Sequence, residues 1–554
     1  MSIMNSLNEV EINNPVHVES DVDTSSSENP ANDVDTSSSE NPVNDVNTNS
    51  SMISSNAMHA GSPAKSRASN KFRAAFVNGP FLPDYSRGQR SPAVTRSGTL
   101  YYPMWLAYAA AHAERLGCEI LLLDAPASKW DEERTLAELA RFMPDFTLVE
   151  TATPSIDADL AFASRIKVRA ISTKVVVGGT HASALPWDVF TAAPLVDAVF
   201  VGEYEIPLEE TIQALRQGHP LDGLEGVLTV ARKPSDGAVQ TRTRFWEDLD
   251  ARPFVSEIYK RFLPIERYFN PNAHHPMVAF VTGRGCPFGC SYCVFPQTLM
   301  GRRYRKRSID SIIAEMSFIA KEMPTVRGVF LEDDTFTADA ARVRVFCERL
   351  VACKFPLTWS ANARAEVDRE TLSSMKRAGV RALCVGFESG NQGLLDAIGK
   401  GLRLDRMELF AREADEVGVK IHGCFMVGLP GETRVTLWET LQFAMRLPLD
   451  TAQFYPLMVY PGTRAYEQAS AEGRVVPQTW RDWLTPEGLH RCVVRVGDLG
   501  PGALSAFCNL ARRRFYLRKS WLARMAWRSL TDRDERRRLL RSASTFLRHL
   551  WSDR

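Results

Sequence analysis

No uninterrupted apolar run in this 554-residue chain approaches the ~18 residues that a membrane-spanning helix needs. The nearest, Trp105 to Ala113, already contains His112. An excess of one charge is also missing, since 67 Lys and Arg stand against 66 Asp and Glu. That balance argues against a general nucleic-acid binder, whose domains are strongly basic. Cysteine is sparse, ten in all, and no signal peptide is recognisable. A disulfide framework is therefore not expected, and a reducing, cytoplasmic setting is. Residues 1–70 lack aromatics altogether, and their first Lys or Arg is Lys65. What they hold instead is a tandem repeat, Asp21 to Pro30 and again Asp33 to Pro42, with a degraded copy from Asp45. Such a unit of Ser, Asp and Asn offers nothing apolar to stack, which excludes a solenoid. A disordered acidic tail is expected there.

From Phe72 the pattern changes. Short apolar runs begin at Arg73, Glu119, Phe146, Lys174 and Ala198, separated by helical stretches such as Met104 to Leu116 and Ala158 to Arg169. This alternation predicts an α/β fold with a parallel, Rossmann-like sheet over residues 72–220. Ligands of such sheets bind beyond the carboxyl ends of the strands. Small and turn residues fall there: Thr153 and Ser155, Gly178 to His181, and Gly202 with Glu203. His181 reads either as a ligand contact or as a histidine hydrogen-bonded to backbone at a strand end. Residues 221–275 read as a connecting segment.

Then come three cysteines in the spacing C-x3-C-x2-C, Cys286, Cys290 and Cys293, directly after the apolar run Met277 to Thr282. Three thiolates on one tight loop can hold three irons of a 4Fe–4S cluster. The next cysteine is Cys347, too far along the chain to close the cluster locally, so one iron stays open for a substrate. A structural zinc loop would need paired knuckles and four ligands, and no second knuckle is present. The other seven cysteines lie mostly in apolar patterns and read as buried small hydrophobes.

Residues 276–465 repeat strand and helix six times, with strand ends expected at Gly285, Asp334, Arg364, Ser389, Pro430 and Thr463. Six repeats suit a partial (β/α)6 barrel, whose chemistry gathers where the strands end. Polar residues do fall there: Glu332 to Asp334, Asn362, Arg364 and Glu388. Residues 466–554 turn helical and basic. The stretch Ala511 to Arg528 reads as a helical cap on the barrel, or as an amphipathic helix lying on an anionic membrane. The run Arg302 to Arg307 reads as a phosphate contact or as a solvated loop.

The cysteine motif resembles that of the radical S-adenosylmethionine (SAM) enzymes, and the preceding α/β module resembles the cobalamin-binding domain of their B12-dependent class. The resemblance covers residues 72 to about 465. It implies that Cys286, Cys290 and Cys293 hold the cluster. It further implies that Tyr292, Glu332, Asp333, Asn362, Arg364, Glu388, Gly428 and Pro430 contact SAM. Thr153, Ser155, Gly178, Gly179, Thr180, His181, Gly202 and Glu203 would contact cobalamin. The D-x-H-x-x-G motif of other B12 proteins is absent, so no protein histidine is expected on the cobalt. The implied activity is a C-methyltransferase moving a methyl group from methylcobalamin to an unactivated carbon, through a 5′-deoxyadenosyl radical. Its substrate would be a natural-product or lipid-like small molecule, and its electron donor a flavodoxin or ferredoxin. The alternative is oxidative cyclisation or rearrangement with the same cofactors. A methylthiotransferase on tRNA is disfavoured, since the extra cysteines and RNA-binding tail of that group are missing. A non-catalytic scaffold is disfavoured by the intact cysteine triplet.

Overall fold

The computed structural model describes residues 71–169, 173–232, 244–531 and Arg536; the repeat tail lies outside the described residues. Strands β1 (Arg73–Asn78), β2 (Glu119–Asp124), β3 (Phe146–Thr151), β4 (Lys174–Gly179) and β5 (Ala198–Phe200) follow the five apolar runs. They pair in parallel in the order β2-β1-β3-β4-β5. β1 and β3 are buried at every position, as the central strands of a sheet covered on both faces must be. Helices Met104–Arg115 and Ile156–Val168 supply part of that cover. A sixth strand, β6 (Val227–Leu228), adds antiparallel to β5. It lies in the segment expected to be a connector, and so does helix Val255–Phe262, whose Ile258 and Tyr259 are buried. That segment is folded into the core because Tyr102 stacks between Tyr259 and Tyr268, with ring centroids 4.2 and 3.9 Å away.

The second sheet contains β7 (Met277–Phe280), then, after a hairpin of β8 (Gly283–Arg284) and β9 (Arg305–Lys306), β10 (Gly328–Leu331), β11 (Thr358–Arg364), β12 (Val380–Glu388), β13 (Lys420–Val427) and β14 (Thr451–Pro456). Its order, β14-β13-β12-β11-β10-β7, is parallel throughout and does not close on itself. Four expected strand ends shift, the fifth strand stopping at Val427 and not at Pro430. The first strand stops at Phe280, because Gly283 and Arg284 leave the sheet to pair with Arg305 and Lys306. The second stops at Leu331, so the three carboxylates after it sit in the loop. The sixth stops at Pro456, and Thr463 instead caps helix Arg464–Ala471 by accepting the Tyr466 N–H.

The C-terminal helices Pro501–Tyr516 and Lys519–Thr531 pack along β14 and the turn before it. Tyr516 Oη accepts from the Ala452 N–H at 3.0 Å, and Trp521 Nε1 donates to the Asp450 carbonyl at 2.7 Å. This is the cap expected on the barrel edge. In the basic run before helix Ile309–Glu322, Arg302, Arg303 and Lys306 are exposed, as expected of a solvated loop, and the rest is not. Arg305 is buried against Glu203, Arg307 is buried against Glu315, and Lys306 pairs with Asp339.

Candidate active site

The strand ends of both sheets meet. Helix Thr180–Ala184, which follows β4, packs on helix Val294–Thr298, which follows Cys293. Contact is close enough that a Cβ added at Gly462 would lie 2.9 Å from Ala184 Cβ and 2.7 Å from Thr298 Cγ2. The two candidate cofactor loops are therefore neighbours in one core.

Hydrogen bonds from outside the cysteine loop fix its path. The Cys286 N–H donates to the Gly301 carbonyl at 3.3 Å, and the Ser291 N–H to the Ile398 carbonyl at 2.9 Å. Gln297 Nε2 donates to the Ser291 and Cys293 carbonyls at 3.0 and 2.8 Å. The Arg364 guanidinium lies 3.5 Å over the Phe288 ring. All ten cysteines are free thiols. Burial pushes the Cys286 thiol up to about 11, with Asp334 and Cys290 adding to the rise. Burial likewise pushes Cys293 well up, with Asp334 adding and Arg90 opposing. Thiols held protonated in this way must lose protons to bind metal. Of the seven others, Cys118, Cys347, Cys492 and Cys508 are buried as expected, but Cys353 is exposed and Cys384 and Cys424 are only half-buried.

Two polar groups border the loop. In one, Tyr292 Oη donates to Glu388 Oε1 at 3.0 Å and Lys400 Nζ donates to the same oxygen at 2.7 Å. Glu388 adopts a φ of +64°, uncommon for a side-chain-bearing residue and a mark of local strain. At Gly386 an added Cβ would lie 2.2 Å from Glu388 Oε1 and 2.9 Å from Lys400 Nζ, so a side chain there would displace this pair. In the other group, Arg90 comes from the loop after β1 and donates to Glu332 Oε1 at 2.8 Å and Asp334 Oδ1 at 2.9 Å. Asn362 Nδ2 donates to Glu332 Oε1 at 3.3 Å. Asp333 departs from its expected role. Its carboxylate accepts from the Thr282 N–H, Thr282 Oγ1 and Tyr304 Oη at 2.6 to 2.8 Å, tying β7 to the strand after the hairpin turn. Arg364 donates to Glu366 and to the Lys400 carbonyl. The Gly428 N–H donates to Glu432 Oε2, and the Gly428–Pro430 turn packs under Leu504 and Val494 of the C-terminal region.

Three carboxylate oxygens near these groups are buried with no hydrogen-bond partner: Glu332 Oε2, Asp334 Oδ2 and Glu388 Oε2. Buried orphan acceptors are costly, and a ligand carrying an amino group and hydroxyls would satisfy them. The donor set thus fits SAM, and the three free thiols fit a cluster. Arg90, Asp334 and Lys400 were missed in the sequence. Asp334 was visible within the acidic triplet; Arg90 lies far away in the chain and carried no local signal.

At the first sheet, Gly179 has φ +125° and an added Cβ would lie 2.1 Å from the Thr151 carbonyl oxygen, so the turn into Thr180 requires glycine. His181 Nδ1 meets Thr153 Oγ1 at 3.2 Å and its ring is edge-on to Trp480. Its partner is thus a side chain and not backbone, the latter being one of the two readings of the sequence. Burial pushes its pKa down to about 4, so it is neutral at pH 7. Ser155 Oγ donates to Asp159, and the Gly202 N–H donates to Ser183 Oγ at 3.0 Å. Glu203 departs from its expected role. It accepts from Arg305 Nη1 and Nη2 at 2.9 and 2.6 Å and sits 3.4 Å from Arg284, tying this sheet to the β8–β9 hairpin. Gly178 is closed in by Tyr204, whose ring would lie 2.8 Å from an added Cβ, so the small residues here serve close packing at the strand end.

Comparison with known proteins agrees with this layout. The Radical SAM superfamily matches residues 280–444, and the B12 binding domain matches residues 90–212. An uncharacterized methyltransferase of Pyrococcus horikoshii is 29% identical over 76% of this chain and 89% of its own length. The anaerobic magnesium-protoporphyrin IX monomethyl ester cyclase of Cereibacter sphaeroides is 26% identical over 80% of this chain and 71% of its own. Among solved structures, the cobalamin-dependent SAM radical enzyme OxsB, with aqua-cobalamin and SAM bound, shares the fold with a TM-score of 0.62 and 15% identity, covering 86% of this chain and 72% of that one.

Proposed function

Because the chain belongs to the radical SAM proteins that carry a B12 binding domain, we propose that it is a cobalamin-dependent radical SAM methyltransferase acting on an unactivated carbon of a small natural-product or lipid-like molecule. The observation that carries this reading is the packing of helix Thr180–Ala184 on helix Val294–Thr298, which brings the strand-end loop of the first sheet beside the cysteine loop. When bound, the cluster supplies one electron, SAM a carbon radical and a methyl group, and cobalamin the methyl carrier. The protein's own work is binding and orientation. Cys286, Cys290 and Cys293 hold the irons. Glu332 and Asp334 receive the SAM amino group, Glu388 a ribose hydroxyl, and Lys400 holds Glu388 in place. Thr153, Ser155, Gly178 to His181 and Gly202 border the cobalamin.

Arg302 and Arg464 are exposed and donate to the Phe288 and Gly289 carbonyls of the cluster loop. They form a basic rim for an acidic donor of the flavodoxin or ferredoxin type, in keeping with a cytoplasmic setting. No helix among the described residues is long and apolar enough to cross a membrane. A surface contact would use Leu522, Trp527 and Leu530, all exposed beside basic residues; absence of co-sedimentation with anionic vesicles would remove it.

The test is anaerobic reconstitution with iron, sulfide and hydroxocobalamin, followed by desalting. Retained iron–sulfur and corrin absorption is expected, with S-adenosylhomocysteine and 5′-deoxyadenosine both formed on adding SAM and substrate. Loss of the corrin bands would sink the methyltransferase reading. The cyclase relative keeps a second reading in view, in which 5′-deoxyadenosine forms and no methyl group is gained.

A further inference from the structure

The half-buried Cys384 and Cys424 are not core cysteines. Cys384 on β12 is in register with His422 on β13, and Cys424 follows two residues later on the same face. The alternate residues Leu383, Val385, Ile421 and Phe425 are fully buried in the barrel wall, so the two thiols and the imidazole point into the lumen. The Sγ atoms are 3.8 Å apart, and one ligand atom from each of the three residues lies within 4.8 Å of the other two. Two thiolates each about 2.3 Å from one zinc ion, at the tetrahedral angle, stand about 3.8 Å apart. His422 Nδ1 meets Thr451 Oγ1 at 2.8 Å, the kind of outer hydrogen bond that orients a metal-bound histidine and leaves Nε2 as the ligating nitrogen.

We propose that Cys384, His422 and Cys424 form a three-ligand site for a borderline-soft divalent ion, zinc first, with its fourth position open to the substrate. Two cysteines and one histidine with an open position are a donor set used by zinc in catalysis, whereas structural zinc takes four protein ligands. The open side faces the candidate active site. Asn362, the register partner of Cys384, donates to Glu332 Oε1 at 3.3 Å, which links the two sites across adjacent strands. Asn362 and Gln453 flank the site in register with Cys384 and Cys424. A substrate thiolate, alkoxide or carboxylate on the fourth position would be anchored within the barrel. This site stands on its own residues and does not depend on cobalamin being bound.

The experiment is metal analysis of the cluster-loaded protein after incubation with zinc and desalting. One zinc per chain beside the cluster iron is expected. The C384S/C424S variant should lose the zinc and keep its iron and its circular dichroism spectrum, while C286S/C290S/C293S should do the reverse. T451V, which leaves all three ligands in place, should weaken zinc binding by about tenfold or more. Cobalt(II) added to C286S/C290S/C293S should give thiolate-to-cobalt absorption that H422Q diminishes. Wild-type protein without stoichiometric zinc, or zinc retained unchanged in C384S/C424S, would overturn the proposal.

Discussion

Adjacent side chains in this protein have opposite duties, and the difference is measurable. Asp333 is wholly buried and binds Thr282 and Tyr304, whereas Glu332 and Asp334 hold Arg90 and keep one orphan oxygen each. D333N should therefore destabilise the fold by about 1–3 kcal/mol, read as a shift in the urea midpoint. E332Q should leave the midpoint nearly unchanged and weaken SAM binding about tenfold, as loss of a hydrogen bond to a charged group does. Equal effects of the two substitutions would contradict this division. Glu150 gives a pH signature. Burial raises its pKa from 4.5 to about 8, against the opposing charge of Arg87. Between those values the folded protein holds a proton that the unfolded chain has lost. Its contribution is therefore full below 4.5 and declines as pH rises towards 8. E150Q keeps a partner for Tyr204 and removes the titration. The stability of E150Q relative to wild type should rise from pH 5 to pH 8, and a flat difference would refute the assignment.

At the level of elements, the β8–β9 hairpin does what its short strands do not suggest. Arg284 and Arg305 project from it into a buried cluster with Glu203 and Glu205, and Arg252 joins them. Removing one partner from a buried ion pair leaves the other charge without compensation, which costs about 3–5 kcal/mol. E203A should therefore lower stability by that amount in equilibrium unfolding. It should also lower iron uptake, because the hairpin frames the cysteine loop between its two strands. An E203A protein with unchanged midpoint would show that the pair is not limiting. The same hairpin explains why Arg305 looked like part of a surface motif: its charge balances Glu203, which is distant in sequence.

Across the whole molecule, the two sheets present their strand ends to each other and are joined by contacts between residues far apart in the chain. Arg90 reaches Glu332 and Asp334, Tyr102 Oη donates to the Met277 carbonyl at 2.7 Å, and Glu203 holds Arg305. These contacts hold the loops after the strands of both sheets in one core.

The parallel strands of both sheets, most helices, the six strand–helix steps of the barrel and the cysteine triplet were legible in the chain, whereas β6 and the β8–β9 hairpin were not. Each legible feature depends on periodicity or spacing within a few residues, which the chain states directly. Tertiary structure decided which of Glu332, Asp333 and Asp334 meets the site, because neighbouring side chains diverge at a loop. It decided that Glu203 binds arginines, that Arg90 and Lys400 belong to the site, and that Cys384, His422 and Cys424 share one face. Those outcomes depend on strand register and on loops crossing between sheets, and neither leaves a local pattern in the chain.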